Sequence, residues 1–521
     1  MTSKPHLSRR EILSSIPVLT FGSSLLPSAG QGAPPQALGV IRGTLRDKAT
    51  AKAVAAKIHM MNVMTGETYV PVSAIKSMLG MGQDPAAKRY FYTRGNYEVA
   101  VPPGAYSIEV VRGICHKPVT THIEVGAGMT GVRDIDIPLL WDLRSDGWYS
   151  GNTHTHYHIV LDGDPDARLR LVPVAEDLDI SVISYVVRNE SPYITNRYPI
   201  GRLPDFSRDG TLVDMGQETR NDSPLLSAGY GHCLFVNIPR IVEPVSTGIL
   251  SRDGKAPDFP TLSMLCSDAK RIGGTTIWCH NGEGMAMPIA AALGGIDAFN
   301  VADGQEADYE RYYQLLNCGF RLPISTGTDW WIYDNNRVFV QIEGSFTYDS
   351  WIAGLLAGRT FVTNGPLLGF TVSGKGPGST LKGPQVSKVV ARAVSVVPFE
   401  RLEIVQDGTV VAQQTAWNQQ EARLEKEIPV KRSGWIAARV GGNTKTGGGY
   451  TVFAHSSPVY LDLEGSPPRH AEAAGKFVDQ IEESVRYLRK NYRFGSEADK
   501  AEALRQYEQG RMYYAKLVAK G

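Results

Sequence analysis

Gly147-Trp148-Tyr149-Ser150-Gly151-Asn152-Thr153-His154-Thr155-His156-Tyr157-His158 decides how this chain is read. Aromatic and β-branched residues after a glycine give it strand composition. On a strand, residues i, i+2 and i+4 point to one face, so His154, His156 and His158 converge. A neutral imidazole is the commonest metal ligand, and two on one face make half a tetrahedral site. The bland alternative is an edge strand that carries polar residues. Histidines clustered at strand spacing are a compositional oddity that metal binding explains.

The remaining ligands must come from elsewhere in the chain. Gly216-Gln217-Glu218-Thr219-Arg220-Asn221 is followed by Gly231-His232-Cys233-Leu234-Phe235-Val236, so Glu218 and His232 flank a loop. Ile277-Trp278-Cys279-His280-Asn281-Gly282 reads as a buried strand ending in His-Asn-Gly. Ile324-Ser325-Thr326-Gly327-Thr328-Asp329-Trp330 reads as a strand ending in an acid. Singly, each has an ordinary reading: an Asp after a strand is most often a turn or helix cap. Together, at equivalent strand ends, they form a candidate metal centre.

Outward from this core the texture changes twice. From Gly39 to Leu140, short alternating runs broken by Gly and Pro predict a β-sandwich, as in Tyr97-Glu98-Val99-Ala100-Val101 before the turn Pro102-Pro103-Gly104. From Trp141 to Gly369, strand-like runs (175–183, 275–279, 297–301, 321–325) alternate with helical ones (262–272, 307–318), which predicts a parallel sheet or barrel with its site at the strand C-termini. From Phe370, alternation returns, with Leu402 to Gly408 ending in an Asp-Gly turn and Trp435 to Val440 as another strand. After Pro467-Pro468, one-face spacing of Phe477, Ile481, Val485, Leu488 and Tyr492 predicts a helix. Gly495 stops it, and Ser496 with Asp499 resembles a capping box for a second helix.

Composition narrows the function. The chain has 521 residues and a formal net charge of +1, so it is long enough for several domains and has no basic excess for nucleic acid. Five scattered cysteines (115, 233, 266, 279 and 318) form no CxxC pair, which argues against a disulfide framework or a zinc ribbon. Ser8-Arg9-Arg10-Glu11-Ile12-Leu13 and the moderately apolar run to Leu26 read as a twin-arginine export signal over residues 1–35. That run is too short and too polar to span a membrane, and Ala29 and Ala33 are both candidate cleavage positions. The expected location is periplasmic or secreted.

At this point the chain resembles the PHP metallohydrolases, and within them the branch around carbaryl hydrolase, labelled CehA/McbA. The resemblance runs from Val101-Pro102-Pro103-Gly104-Ala105-Tyr106 and the histidine stretch through Ala175-Glu176-Asp177-Leu178 and Glu243-Pro244-Val245-Ser246-Thr247-Gly248. It ends at Gly358-Arg359-Thr360-Phe361-Val362-Thr363-Asn364-Gly365-Pro366 and Ala454-His455-Ser456-Ser457-Pro458-Val459-Tyr460. It implies a multidomain α/β plus β fold. A PHP-type distorted (β/α) barrel over 141–369 is flanked by β-sandwiches over 36–140 and 370–464, with a helical tail over 465–521.

Residue by residue, it implies that His154, His156, Glu218 and Asp329 hold one divalent ion, and Glu218, His232 and His280 a second. Glu218, Asp329 and His280 are then the catalytic candidates. The ligands are N and O, so Zn, Mn or Fe suits them. There are departures. Ile183-Ser184-Tyr185-Val186-Val187 lacks a ligand where the superfamily often has Thr-Asp-His, and Trp331 stands where a late His often falls. Asp162, at a third-site spacing, has lost its partners, so one or two ions are expected.

Cys233 and Cys279 adjoin ligand histidines but, on strands, should face away. His158, Arg220, Asn281, Arg337 and Arg359 are further candidates for substrate contact, with Asn364 of the same kind. His455 reads as structural, and residues 189–224 as a long connection that roofs the site. The expected activity is hydrolysis of a phosphoester, ester, carbamate or amide of a small-molecule or glycan-like substrate by a metal-activated water. The alternative is a secreted binding module on a degenerate barrel. Oligomeric state is not legible.

Overall fold

The computed structural model describes residues 37–77, 88–156, 164–223, 229–330, 336–383, 385–465 and 470–520. The export-signal reading, His158, Asp162 and Trp331 lie outside them.

The first layer is a pair of small sheets face to face. Gly39–Asp47 pairs with Asn96–Val101, Thr130–Val132 and Ile135–Ile137. Gly104–Val111 pairs with Ala56–Asn62 and Val119–Val125. Alternation along these strands sends Ile41, Leu45, Ile58, Met60, Val99, Val101, Ile108 and Val110 into one shared core. This is sandwich-like packing.

The second layer is a large curled, mixed sheet. The strand that leads into the histidines, Trp148–Asn152, pairs in parallel with Ile180–Tyr185 and antiparallel with Arg337–Gln341. Ile180–Tyr185 in turn pairs in parallel with Leu212–Asn221. The next pairings, Leu212–Asn221 with Gly231–Val236 and then Thr275–Trp278, are antiparallel. A purely parallel order fails at the first of these because the nine-residue link between Asn221 and Gly231 is too short for a crossover, which takes a dozen or more residues. Parallel order resumes through Ala298–Asn300 to Ile324–Ser325.

From the other side of Trp148–Asn152 the ladder continues through Arg337–Gln341: Thr360–Thr363 pairs with both Arg337–Gln341 and Thr451–Ser456. The barrel sheet and the later β layer therefore share backbone hydrogen bonds. The long strands Val386–Gln406 and Thr409–Pro429 extend that layer, joined at the Asp407-Gly408 turn.

Local reasons explain where the elements fall. The run 175–183 is not one strand. Asp164 caps a helix over Pro165–Ala175, its carboxylate accepting from the Asp166 N–H, and the strand begins only at Ile180. Leu169, Leu171, Val172, Val174 and Ala175 are all buried, so the helix carries no polar period to betray it. The expected roof over 189–224 is shorter than read, since Leu212–Asn221 is a barrel strand.

The tail is two long helices, Ala471–Asn491 and Glu497–Lys520. Ser496 accepts from the Asp499 N–H at 3.1 Å, as its spacing predicts. Phe477, Ile481, Leu488, Tyr507 and Tyr514 bury against the barrel core. Among the described residues, no helix is long and apolar enough to cross a membrane.

Candidate metal centre

The site grows from the end of the strand that leads into the histidines. Trp351 packs its indole over Gly151, where a Cβ would lie 2.4 Å from the ring, and donates to the Tyr149 carbonyl at 3.0 Å. Beyond Asn152 the chain continues into Thr155–His156, which pairs in parallel with Asp329–Trp330. The backbone N–H groups of Thr328 and Asp329 donate to the His154 carbonyl at 3.1 and 2.9 Å. Gly327 permits this approach, because a Cβ there would sit 2.4 Å from the His154 Cβ. Alternation sends Thr153 the other way, to the Thr326 carbonyl, and leaves His154 and His156 facing inward with no exposed surface.

Glu218 and Arg220 lie two apart on Leu212–Asn221, and His232 is directly opposite Arg220 on the next strand. All three share a face. His280 arrives from Thr275–Trp278, and Asp329 from the strand paired with the histidines.

The two oxygens of Glu218 face different groups. Its Oε2 is 3.3 Å from His156 Nε2 and 3.8 Å from His154 Nε2. Asp329 Oδ1 completes that group, 2.8 Å from His156 Nε2 and 3.4 Å from His154 Nε2. Glu218 Oε1 is 3.0 Å from His232 Nδ1 and 3.8 Å from His280 Nε2. In each of these two sets the ligand atoms lie within 4.8 Å of one another. Ligands of a single tetrahedral ion, with bonds of about 2.0–2.1 Å, sit about 3.3 Å apart, inside the observed spread.

The buried polar atoms fit a cation. His154 Nδ1 and Nε2, His156 Nδ1, His232 Nδ1 and Glu218 Oε1 are all buried and make no hydrogen bond of good geometry, although His232 Nδ1 and Glu218 Oε1 are 3.0 Å apart. Orphaned polar atoms of this kind each cost about 1–3 kcal/mol unless something is bound to them. The donor set of imidazoles and carboxylates suits Zn, Mn or Fe.

Electrostatics favour a charged cluster. Burial opposes ionisation of Glu218, but the Arg220 guanidinium at 2.9 Å and the surrounding histidines outweigh it and hold the carboxyl well below its ordinary value. Burial likewise opposes ionisation of Asp329, yet His154, His156 and His280 pull it down to about 2. At His156 burial wins and lowers the imidazole, which favours the neutral form a metal needs.

Backbone strain gathers here. His280, Asn281, Ala302, Asp303 and Asp329 all have φ between 42° and 70°. Such non-glycine residues cost about 1–3 kcal/mol each and cluster at functional sites.

Two acids that the sequence reading passed over hold the histidines. Asp303 Oδ2 lies 3.4 Å from His154 Nδ1, and its carboxylate accepts from Gly327 N–H at 2.9 Å, His280 N–H at 3.3 Å and the Asn300 amide. Asp222 Oδ1 is 2.8 Å from His232 Nε2, the nitrogen turned away from Glu218. Carboxylate partners of this kind fix a ligand histidine's tautomer and ring plane. The signal for Asp303 was present: Asn300-Val301-Ala302-Asp303-Gly304 places an acid past a strand, just as Asp329 does.

The substrate-contact candidates separate. Arg220 is in the cluster. Asn281 is committed to its loop, donating to the Glu306 carbonyl and accepting from the N–H groups of Ala302 and Asp308. Arg337 is 1 % exposed and donates to the Glu176 carbonyl, a structural tie. Arg359 donates to the Gln341 carbonyl and pairs with Glu343. Asn364 bridges Thr451 and Phe453, and His455 is buried between the Tyr313 hydroxyl and the Ser456 carbonyl.

Tyr193 and Trp330 went unnoticed; both rings flank His156, with centroids 5.5 and 4.4 Å away. Cys233 faces away from the centre, next to Cys266, as expected. Cys279 does not: its sulfur lies within 4.8 Å of ligand nitrogens of His154 and His280. Cys279 is still extended and follows Trp278, the cross-strand partner of Cys233, so alternation turns it inward; the left-handed turn then begins at His280 and brings that side chain to the same side. Burial pushes the Cys279 thiol up, so it is a poor nucleophile.

No family profile matches the chain, and no curated protein matches it. Among solved structures, the Bacillus anthracis TIE protein aligns over 83 % of this chain and 51 % of its own length, at 8 % identity and a TM-score of 0.14. The chain thus spans about half of that protein. What stands is a curled, mixed sheet whose His, Asp and Glu clusters are compatible with a PHP-like metal-binding barrel.

Proposed function

We propose that this chain is an exported, metal-dependent hydrolase of the carbaryl-hydrolase-like PHP branch, acting on a phosphoester, ester, carbamate or amide. The observation that carries the proposal is the division of the Glu218 oxygens between two N/O ligand sets. Divalent ions held there would acidify water and polarise the oxygen of an ester-type centre.

The chain's own residues supply the rest. Arg220 neutralises part of the Glu218 charge. Asp303 and Asp222 orient His154 and His232. His154, His156 and Glu218 are sealed, whereas the side chains of Asp329, His232 and His280 keep 15 %, 13 % and 12 % exposure. Substrate therefore enters on their side. Asp329 is the carboxylate that borders this mouth, with its Oδ1 committed to the first ligand set. Tyr193 and Trp330 give that mouth an aromatic wall, with ring centroids 6.1 Å apart.

A second reading, a binding module without turnover, is favoured by one feature: the Arg220 guanidinium already sits 2.9 Å from Glu218 Oε2. A substrate panel spanning the four bond types, run on protein purified without chelators, separates the two readings. Turnover abolished by His154→Ala supports the hydrolase, and turnover unaffected by that change refutes it. A bound ion with no turnover on any substrate supports the module.

A further inference from the structure

We propose that Cys279, His154 and His280 form a third ion-binding corner of the centre, selective for thiophilic cations such as Cd²⁺. The inference shares its imidazoles with the hydrolase reading but does not depend on hydrolysis.

Geometry brings the three together. Cys279 is the last residue before the chain turns left-handed at His280, so the two side chains point inward together instead of alternating. The Cys279 sulfur and one nitrogen from each histidine lie within 4.8 Å of one another. The thiol is fully buried, and its contact with the Ile277 carbonyl, at 3.8 Å, is weak. His154 also points to a ligand: it is fully buried and neither ring nitrogen makes a well-formed hydrogen bond, Nδ1 having the Asp303 carboxylate at 3.4 Å.

Donor chemistry then sets the preference. The two sets around Glu218 offer only nitrogen and oxygen, which harder ions tolerate. The corner offers one sulfur and two imidazoles, a set for soft and borderline d¹⁰ ions. As the sulfur–metal bond forms, the thiol proton passes to the buffer. His154 belongs to one Glu218 set and His280 to the other. An ion in the corner therefore takes an imidazole from each, and its capture loosens both neighbouring positions. Cys233 has no such role, because it faces Cys266 on the opposite side of its strand.

The test uses the full chain as purified, with Cys115→Ser to remove the one cysteine that is not buried. Cd²⁺ is titrated while the ultraviolet thiolate-to-cadmium absorption and the release of resident ions are followed. The expected result is a band that saturates at a single ion per chain and tracks that release. The band should persist with Cys233→Ser and be lost with Cys279→Ser. A band that survives Cys279→Ser overturns the proposal. Should that variant fail to fold, ¹¹³Cd NMR of the parent decides: a resonance in the mixed sulfur–nitrogen range supports the corner, and one in the nitrogen–oxygen range overturns it. A protein without turnover on any substrate would still show the band, so failure of the hydrolase reading and failure of this one are distinguishable.

Discussion

Asp303 is where the account is most exposed to a quantitative test. Its Oδ2 faces His154 Nδ1 at 3.4 Å and accepts from His280 N–H at 3.3 Å, while Oδ1 accepts from Gly327 N–H at 2.9 Å. The Asn300 amide reaches both oxygens, at 3.0 and 3.1 Å. Asp303→Asn keeps the shape and one acceptor oxygen but removes the charge and turns an N–H₂ toward groups that donate. Losing a carboxylate behind a ligand histidine weakens metal affinity about 10–100-fold, or about 1.4–2.8 kcal/mol. Because Asn can keep the Oδ1 contacts, the lower end of that range is expected for Asp303→Asn and the upper end for Asp303→Ala. The assay is a competition titration against a chelator of known affinity, with thermal unfolding recorded in parallel. Folded Asp303→Asn with affinity unchanged within twofold would refute the claim that this acid acts on the metal through His154.

Other consequences follow from particular contacts. Gly327→Ala should cost about 1–3 kcal/mol of stability and reduce metal content, because the added methyl would lie 2.4 Å from the His154 Cβ; denaturant unfolding and metal analysis check it. Asp177 is a buried acid between Arg112 and Arg144; burial opposes its ionisation, but the two guanidinium groups prevail and hold it far below its ordinary value. The folded carboxyl is depressed, so its contribution is complete above the unfolded value of about 3.9 and is lost as pH falls through the lower folded one. Asp177→Asn should therefore cost about 3–5 kcal/mol at neutral pH, and the gap to the parent should shrink below about pH 4; urea unfolding at several pH values would show it. Tyr450→Phe removes a hydrogen bond from the later β layer to the Gly304 carbonyl, next to Asp303. A loss of about 0.5–1.5 kcal/mol is expected, with weaker metal binding if that layer steadies the Asp303 loop.

Much of this was legible because two periodicities are robust. Period two placed His154 and His156 on one face, and the helical period over 471–491 marked the first tail helix. The helix at Pro165–Ala175 was missed because its second half, Leu171 to Ala175, is wholly buried and apolar, which erases the helical period. Asp222 and Asp303 were missed because a lone acid past a strand usually serves a turn, and only the fold shows which histidine it faces. Cys279 was misdirected because the strand rule was carried through to His280, where the left-handed turn breaks the alternation. Arg337 and Arg359 show the opposite limit: charge alone marks neither a pocket nor a partner, and both are spent on backbone carbonyls.

The most direct test of the central claim is the number of divalent ions bound per chain, measured by elemental analysis on protein purified without chelators, in the parent and in Glu218→Ala. The account predicts two ions, or one tight and one weak, in the parent, and loss of the pair when the shared carboxylate is removed. A parent without bound metal, or a Glu218→Ala variant that holds as much as the parent, would contradict it.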